Sequence, residues 1–227
     1  MIARTLTVWS LLVTGAVVVV QPSGEAILRN VAASFPGVRD YSVTLDITPD
    51  IERLNVPPMH VKMYYKQPDK FHFESDNFAL LPREGLAFNP ERLLTRFSVE
   101  EVSGDSVDGK QELKLLLRPR EERARATKVL LYVDSSAWKP SRIVTSLFDG
   151  RTMTATFRYE EQSGHLMPSV LIVQFTSPTQ DTTEQNSTVD ETAPIQRPQM
   201  PRRGTVTIRY SDYEINTGLS DDIFNKK

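Results

Sequence analysis

Alternation of apolar and polar residues with a period of two dominates the sequence from residue 41 onward. The stretches "YSVTLDI" (41–47) and "MHVKMYY" (59–65) both alternate, which is typical of β-strands whose successive side chains point to opposite faces. Later apolar runs are separated by glycine-containing turns, namely Asp108-Gly109, Asp149-Gly150 and Ser163-Gly164. Such turns join neighbouring strands as hairpins. The sequence therefore predicts a sheet made mostly of antiparallel neighbours in a meander.

Two short helices are predicted beside the sheet. "EAILRNVAASF" (25–35) carries apolar residues at helical spacing, and "NPERLLTRF" predicts a helix over 89–96 from its Asn-Pro start. The strands "KVLLYV" (128–133) and "SVLIVQF" (169–175) are apolar on both faces, so both faces of the sheet need cover. Two architectures meet this need. One is a two-layer core, and the other is a strongly curved sheet around a hydrophobic cavity with the helices as a lid.

Residues 1–26 have the pattern of an export signal. Arg4 precedes an apolar run at 6–20, which is followed by small residues suited to cleavage. The run is shorter than the roughly 20 residues of a membrane span, although an uncleaved anchor is the alternative. We therefore expect a signal peptide over 1–26, a single domain over 27–227, and a periplasmic location. The absence of cysteine excludes disulfides and a lipid-modified N-terminal cysteine.

The composition is that of one globular domain. The chain has 227 residues, of which 39% are hydrophobic and 25% charged, and its net charge is -2. This near-neutral balance argues against a nucleic-acid partner, which needs a clustered cationic surface. Residues 177–204 are rich in Thr, Gln, Pro and charge, and this predicts a disordered loop. We expect a monomer.

The residues that commonly carry catalysis are sparse and scattered. The three histidines, His60, His72 and His165, have no metal-binding spacing, and no Gly-x-Ser-x-Gly or glycine-rich phosphate motif is present. The adjacent acids in "SDD" (220–222) lie in a polar turn, where acids are normally solvated. We therefore expect no metal, no cofactor and no enzymatic activity.

The stretch "MYYKQPDKFHFES" (63–75) carries more rings than a sheet core requires. It contains two alternating strands on either side of a Gln-Pro-Asp-Lys corner. Alternation places Met63 and Tyr65 on the inward face of the first strand, and Phe71 and Phe73 on the inward face of the second. Pattern alone leaves open whether these side chains are core or binding surface.

This corner resembles the signature of the LolA-like superfamily, the periplasmic carriers of outer-membrane lipoproteins and their relatives. Further similar motifs follow in the family order: the first helix after an export signal, the hairpin at 97–119, the strand–turn–strand run at 129–159, and the closing "GLSDDIF". The resemblance spans about 27–225 apart from the 177–204 loop.

The resemblance implies a mainly β, α+β fold, in which a strongly curved antiparallel sheet forms an incomplete barrel closed by short helices. It further implies that Met63, Tyr65, Phe71 and Phe73 line an apolar interior that holds acyl chains. In the carriers an arginine just before the proline hydrogen-bonds the lid. Here Gln67 occupies that latch position, and it can donate only without charge assistance.

These observations favour a periplasmic carrier that shelters the acyl chains of lipoproteins or another lipid on the way to the outer membrane. Membrane-bound donor and acceptor proteins would be its partners. The alternative is a lipid-sensing or protein-interaction module on the same fold. An outer-membrane barrel is disfavoured, because the strands lack a continuous lipid-facing band with aromatic girdles and the chain ends in "FNKK".

Overall fold

The computed structural model describes residues 22–35, 37–75, 94–107, 110–121, 124–177 and 203–225. The first 21 residues of the predicted signal peptide and residues 178–202 of the predicted loop lie outside this part. The elements in chain order are α1 (Gly24–Ala32), β1 (Asp40–Ile51), β2 (Met59–Lys66), β3 (Lys70–Glu74), β4 (Phe97–Val107), β5 (Lys110–Pro119), β6 (Ala126–Asp134), β7 (Lys139–Leu147), β8 (Thr152–Gln162), β9 (His165–Thr176), β10 (Arg203–Ile215) and α2 (Asp222–Asn225). Of the predicted helix over 89–96, only 94–96 are described, and they are helical.

The ten strands form one antiparallel sheet in the order β3-β2-β1-β10-β9-β8-β7-β6-β5-β4. All neighbours follow each other in sequence except β1 and β10, whose pairing joins the two ends of the chain. The sheet is strongly curved but not closed into a barrel, because β3 and β4 are left as its two edges. The predicted fold class is confirmed.

The strand register shows that one face of the sheet carries the whole core. A single row of directly opposed residues crosses seven strands: Val102, Leu115, Leu131, Ile143, Ala155, Val173 and Val206. The row connects a cluster on β4 to β7 with a second cluster on β1, β2, β9 and β10. We call this side of the sheet the inner face.

Helix α1 covers the half of the inner face made by β4 to β6. Ile27, Leu28 and Val31 are buried against strand residues there. Ser23 caps the helix by accepting a hydrogen bond from the Ala26 amide at 3.3 Å. At Gly24 a Cβ atom would lie 2.3 Å from Val99, so this close approach needs glycine. The helix begins within the last residues of the predicted signal peptide, whose end at residue 26 stays a prediction.

The outer face is covered by side chains of the sheet itself. Leu116, Leu130 and Val144 are directly opposed there and half-buried. Tyr132 is only 8% exposed, because the Arg142 guanidinium lies 3.9 Å from its ring centroid and the Lys114 ammonium 6.0 Å from it. Long basic side chains thus provide cover that an apolar second face requires.

The predicted hairpin at Ser163-Gly164 is confirmed. Both turn residues have positive φ, 50° and 79°, and Gln162 pairs directly with His165. Two positive φ values match the twist of the flanking strands, and glycine adopts them without steric cost. At the first hairpin, Val107 pairs with Lys110, and the turn residues 108–109 lie outside the described residues.

Candidate functional site

The corner between β2 and β3 presents two cross-strand pairs on the inner face. Met63 is directly opposite Phe73, and Tyr65 is directly opposite Phe71. Met63 is buried in the core at 1% exposure, whereas the three rings are half-buried. Phe71 and Phe73 pack against the same core cluster as Met63. The inward orientation is as predicted, and contact with a ligand stays a prediction.

The alternate residues of the same strands lie on the outer face. The rings of Tyr64 and His72 are 6.0 Å apart, and the Tyr64 hydroxyl donates to the Glu74 carboxylate at 2.9 Å. The His72 Nε2 atom lies 3.6 Å from the same carboxylate. The two faces of this corner therefore differ in chemistry: one is apolar and aromatic, and the other is polar and charged.

A cluster of tyrosines continues the aromatic surface inward from the corner. The Tyr65 ring lies 4.9 Å from Phe71 and 5.1 Å from Tyr41, and Tyr41 lies 5.8 Å from Tyr213, all measured between centroids. Five of the seven tyrosines of the chain belong to this tyrosine cluster: Tyr41, Tyr65, Tyr159, Tyr210 and Tyr213. Of these five, the sequence analysis placed only Tyr65 on the inward face, because the other four lie on β1, β8 and β10 and join it only through the strand order of the sheet.

Burial keeps the phenols of the cluster neutral. It raises the pKa of Tyr41 far above the ordinary value, and nearby Tyr210 and Tyr65 raise it further. The pKa of Tyr213 is raised in the same way, by burial first and then by Tyr41 and its neighbours. The inner face is therefore an uncharged aromatic surface that still carries hydroxyl groups.

The segment that joins α1 to β1 runs across this end of the sheet and is held by two amide side chains. The Gln67 Nε2 atom donates to the Val38 carbonyl at 2.8 Å, and the Gln67 backbone amide donates to the Arg39 carbonyl at 2.9 Å. Asn216 accepts from the Arg39 amide at 2.8 Å and donates to the Gly37 carbonyl at 2.7 Å. The residue at the predicted latch position thus does bind the segment that follows α1.

Sequence reasoning missed Asn216. Its φ of 59° lies in the left-handed region, which asparagine tolerates better than most residues. An asparagine before the "TGLSDD" turn was a local signal for this conformation, but its partners lie 177 and 179 residues away in sequence.

At its other end the same segment contacts a buried lysine. The Lys139 Nζ atom donates to the Ser34 carbonyl at 2.6 Å and lies 3.1 Å from the centroid of the Phe35 ring. Lys139 is only 4% exposed, and burial lowers its pKa to about 7. Sequence reasoning did not single out this lysine, which follows a turn and would ordinarily be solvated.

The C-terminal tail is attached to the outside of the corner. Lys66 donates to the Leu219 carbonyl at 2.8 Å, and Asp221 lies 2.8 Å from Lys66 and 3.2 Å from Lys70. Hydrogen bonds from Lys66 and then Lys70 lower the pKa of the Asp221 carboxyl. These groups are largely exposed, so the ion pairs contribute little to stability.

A separate cleft of about 510 Å³ lies at the opposite end of the sheet. Most of its lining residues are polar or charged, and none of them is a predicted site residue. The lining residues are Asp50, Glu52, Thr152, Thr154, Gln174, Phe175, Thr176, Arg203, Gly204 and Thr205. The charged side chains of Asp50, Glu52 and Arg203 do not suit an acyl chain, so the uncharged tyrosine side of the inner face is the better candidate site.

The described residues hold neither a candidate metal site nor a candidate membrane-spanning helix. No group of three or more His, Cys, Asp or Glu side chains in that part of the chain is arranged to hold a metal ion. None of the helices found there is long and apolar enough to cross a membrane.

Comparison with known proteins identifies the fold. No protein-family model and no curated protein matches the sequence. The structure matches a crystal structure of an outer membrane lipoprotein-sorting protein domain from Vibrio parahaemolyticus at 14% identity, with a TM-score of 0.64 over 89% of this chain and 96% of that one. A DUF1329 family protein from Desulfovibrio piger matches at 14% identity, with a TM-score of 0.63 over 88% and 95%. A LolA superfamily protein from Nitrosomonas europaea matches at 14% identity, with a TM-score of 0.59 over 91% and 99%.

These similarities establish a LolA-like fold for the chain. At this identity they concern the fold alone, so the resemblance first seen in the corner motif is confirmed at that level. The antiparallel sheet that is not closed into a barrel and the short helix packed on its inner face are what the sequence resemblance implied.

Proposed function

We propose that this protein is a periplasmic lipid-binding protein, which shelters the acyl chains of lipoproteins or of another lipid on its inner face and carries them toward the outer membrane. We infer binding without catalysis, with membrane-bound donor and acceptor proteins as partners. The observation that carries the proposal is the half-buried aromatic surface at the β2–β3 corner, next to the α1–β1 segment that side-chain hydrogen bonds hold in place.

The energetics of lipid transfer support this assignment. An acyl chain costs about 0.8 kcal/mol per exposed methylene in water, so a sixteen-carbon chain needs roughly 12 kcal/mol of cover. Phe71, Phe73 and Tyr65 offer aromatic surface that is not yet fully buried. The Gln67 and Asn216 hydrogen bonds are neutral, and neutral bonds contribute about 1 kcal/mol each. A closure of this strength can open when a chain enters.

Lipid occupancy is the direct test. Native mass spectrometry of the protein purified from the envelope of its host should find a bound lipid, and the delipidated protein should bind a neutral fluorescent acyl probe. Protein that arrives free of lipid and does not bind the probe would show that the proposed function is wrong.

A pair of variants tests whether the inner face is the site. Phe73→Lys places an ammonium on the inner face, and we expect it to weaken probe binding by at least about tenfold. His72→Lys is the matched control, because it adds the same charge one residue away on the outer face beside Glu74. Equal binding by both variants, with Phe73→Lys less stable, would show that the rings are only core.

Transfer to acceptor vesicles separates the carrier from the sensing or interaction module. A carrier should release the loaded probe to vesicles that contain outer-membrane lipid at a rate that rises with vesicle concentration. Binding without transfer would favour the regulatory module on the same fold.

A further inference from the structure

The tyrosine cluster contains hydroxyl groups that the described part of the chain leaves without a hydrogen bond. The Tyr213 hydroxyl donates to the Pro168 carbonyl at 2.7 Å, and the Tyr65 hydroxyl reaches the Pro68 carbonyl at 3.4 Å. Among the described residues, no hydrogen bond is made by the hydroxyls of Tyr41 and Tyr159. Inward-facing phenols usually find a partner, so these two hydroxyls are free to bind a polar group.

Neither of these hydroxyls is sealed in the core. Tyr41 and Tyr159 are half-buried residues, and their hydroxyls are not among the fully enclosed polar atoms that lack a partner. Burial nevertheless raises the pKa of both phenols. Hydroxyl groups that are partly exposed and yet largely shielded from water are typical of side chains that line an apolar recess.

Lys139 lies beside the Tyr159 end of the cluster and has no acidic partner among the described residues. Its Nζ atom is 5.8 Å from the Tyr159 ring centroid and 3.1 Å from that of Phe35. Within the described residues, no carboxylate lies within 4.0 Å of this ammonium. The carboxylate of Asp134, its register partner on β6, accepts hydrogen bonds from Ser136.

The contacts of Lys139 satisfy only part of its bonding capacity. An ammonium has three protons, and the Ser34 carbonyl accepts one of them. A carbonyl and a ring face offset part of the cost of burying a charge, whereas an anion offsets much more. The lowered pKa of Lys139 agrees with this deficit, since a bound anion would restore the charged form.

We propose that Lys139 and the Tyr159 hydroxyl bind the acidic headgroup of a single-chain amphiphile whose tail lies along the tyrosine cluster toward Phe71. The chemistry is that of a carboxylate, as in a fatty acid, or a phosphate monoester, as in a lysophospholipid. This inference rests on the proposed function, because it names the polar end of the same lipid site. The Tyr41 hydroxyl, which makes no hydrogen bond to the described residues, lies farther along the path of the tail, between Tyr213 and Tyr65.

The path of the tail is continuous on the inner face. Tyr159 lies close to Tyr210 and Tyr213, and the ring of Tyr213 contacts that of Tyr41. From Tyr41 the ring contacts lead through Tyr65 to Phe71. The headgroup end and the predicted acyl-binding residues therefore belong to one surface.

Competition between matched ligands tests the proposal on the wild-type protein. Oleate, oleoyl lysophosphatidic acid and oleyl alcohol share one tail and differ in headgroup. At pH 7 we expect at least one of the two acids to displace the neutral acyl probe at a concentration about tenfold or more below that of the alcohol. The stronger of the two acids identifies the headgroup as carboxylate or phosphate.

Variants assign the preference to Lys139. In Lys139→Met the acid and the alcohol should displace the probe equally well, whereas Lys139→Arg should keep the preference for the acid. Tyr159→Phe should reduce the preference by about threefold while retaining alcohol binding. Lys114→Met is the control, since this lysine contacts Tyr132 on the outer face, and it should behave like the wild type.

Two results would overturn the inference, and both differ from failure of the proposed function. Equal displacement of the probe by the acids and the alcohol in the wild type would show that the inner face has no headgroup site. A preference for the acid that survives in Lys139→Met would show that Lys139 does not form that site. Either result leaves lipid binding intact. A protein that binds neither the probe nor any of the three ligands contradicts the proposed function itself.

Discussion

The ionisation of Lys139 makes the stability of the fold depend on pH. Burial lowers its pKa from 10.5 to about 7, so between these values the unfolded chain binds more protons than the folded one. Stability therefore rises with pH through this window. Because the titratable neighbour Tyr159 stays neutral there, the effect belongs to Lys139. From pH 6.5 to pH 9, we expect the free energy of unfolding of the wild type to rise by about 1–2 kcal/mol relative to that of Lys139→Met.

Urea unfolding at the two pH values measures this difference. Lys114→Met serves as the control, because this lysine lies on the outer face. Parallel pH profiles for the wild type and Lys139→Met would show that the ammonium is better solvated than its 4% exposure indicates.

Gly204 allows a second test at the residue scale. A Cβ atom at this position on β10 would lie 2.4 Å from the Phe175 ring and 3.2 Å from Ile51. The ring is packed over the glycine backbone, so Gly204→Ala should lower the free energy of unfolding by about 1–3 kcal/mol. Gly104 on β4 has no atom within 4 Å of such a Cβ, and Gly104→Ala should change stability by no more than about 0.5 kcal/mol. Equal thermal midpoints for the two variants would contradict this packing.

At the scale of elements, the β2–β3 corner is hydrogen-bonded to the α1–β1 segment through Gln67. Gln67→Ala removes the side-chain hydrogen bond to Val38 and should speed release of the acyl probe about fivefold. Gln67→Arg can make the same contact with charge assistance, and it should slow release about threefold. Stopped-flow release into acceptor vesicles measures both rates.

Asp69→Ala is the matched control for the latch. It alters the same turn at a position whose side chain makes no hydrogen bond to the described residues. If Asp69→Ala and Gln67→Ala change the release rate equally, the effect comes from the turn as a whole and not from the latch.

At the scale of the whole molecule, local signals predicted the strands and missed how they are combined. Alternation predicted β1 and β2 and the inward side of Phe71 and Phe73, because side-chain direction depends only on position along a strand. The tyrosine cluster depends on which strands are neighbours and on their register. Tyr159 and Tyr41 belong to one cluster, through Tyr213, only because β8, β9, β10 and β1 are consecutive in the sheet, and no short stretch of sequence records this.

In the candidate site, too, local features were predictable from the sequence and long-range contacts were not. Gln67 was identified from a motif within a single corner, whereas Asn216 and Lys139 act on carbonyls 179 and 105 residues away. A lysine after a turn is ordinarily exposed, so its burial beneath Phe35 was not predictable from the residues beside it. The resemblance predicted the fold because it used several motifs in order along the chain.

The pairing of β1 with β10 also sets the order in which the chain can become a finished domain. Ser42 and Glu214 are hydrogen-bonded although 172 residues separate them. Ser42 is therefore synthesised 172 residues before Glu214, so β1 exists long before its partner strand β10 has been made. Until then one side of β1 has no backbone partner from β10, and an unpaired strand edge invites aggregation. The half-barrel can therefore be completed only once β10 has been made, and until that point the chain depends on whatever protects the edge of β1.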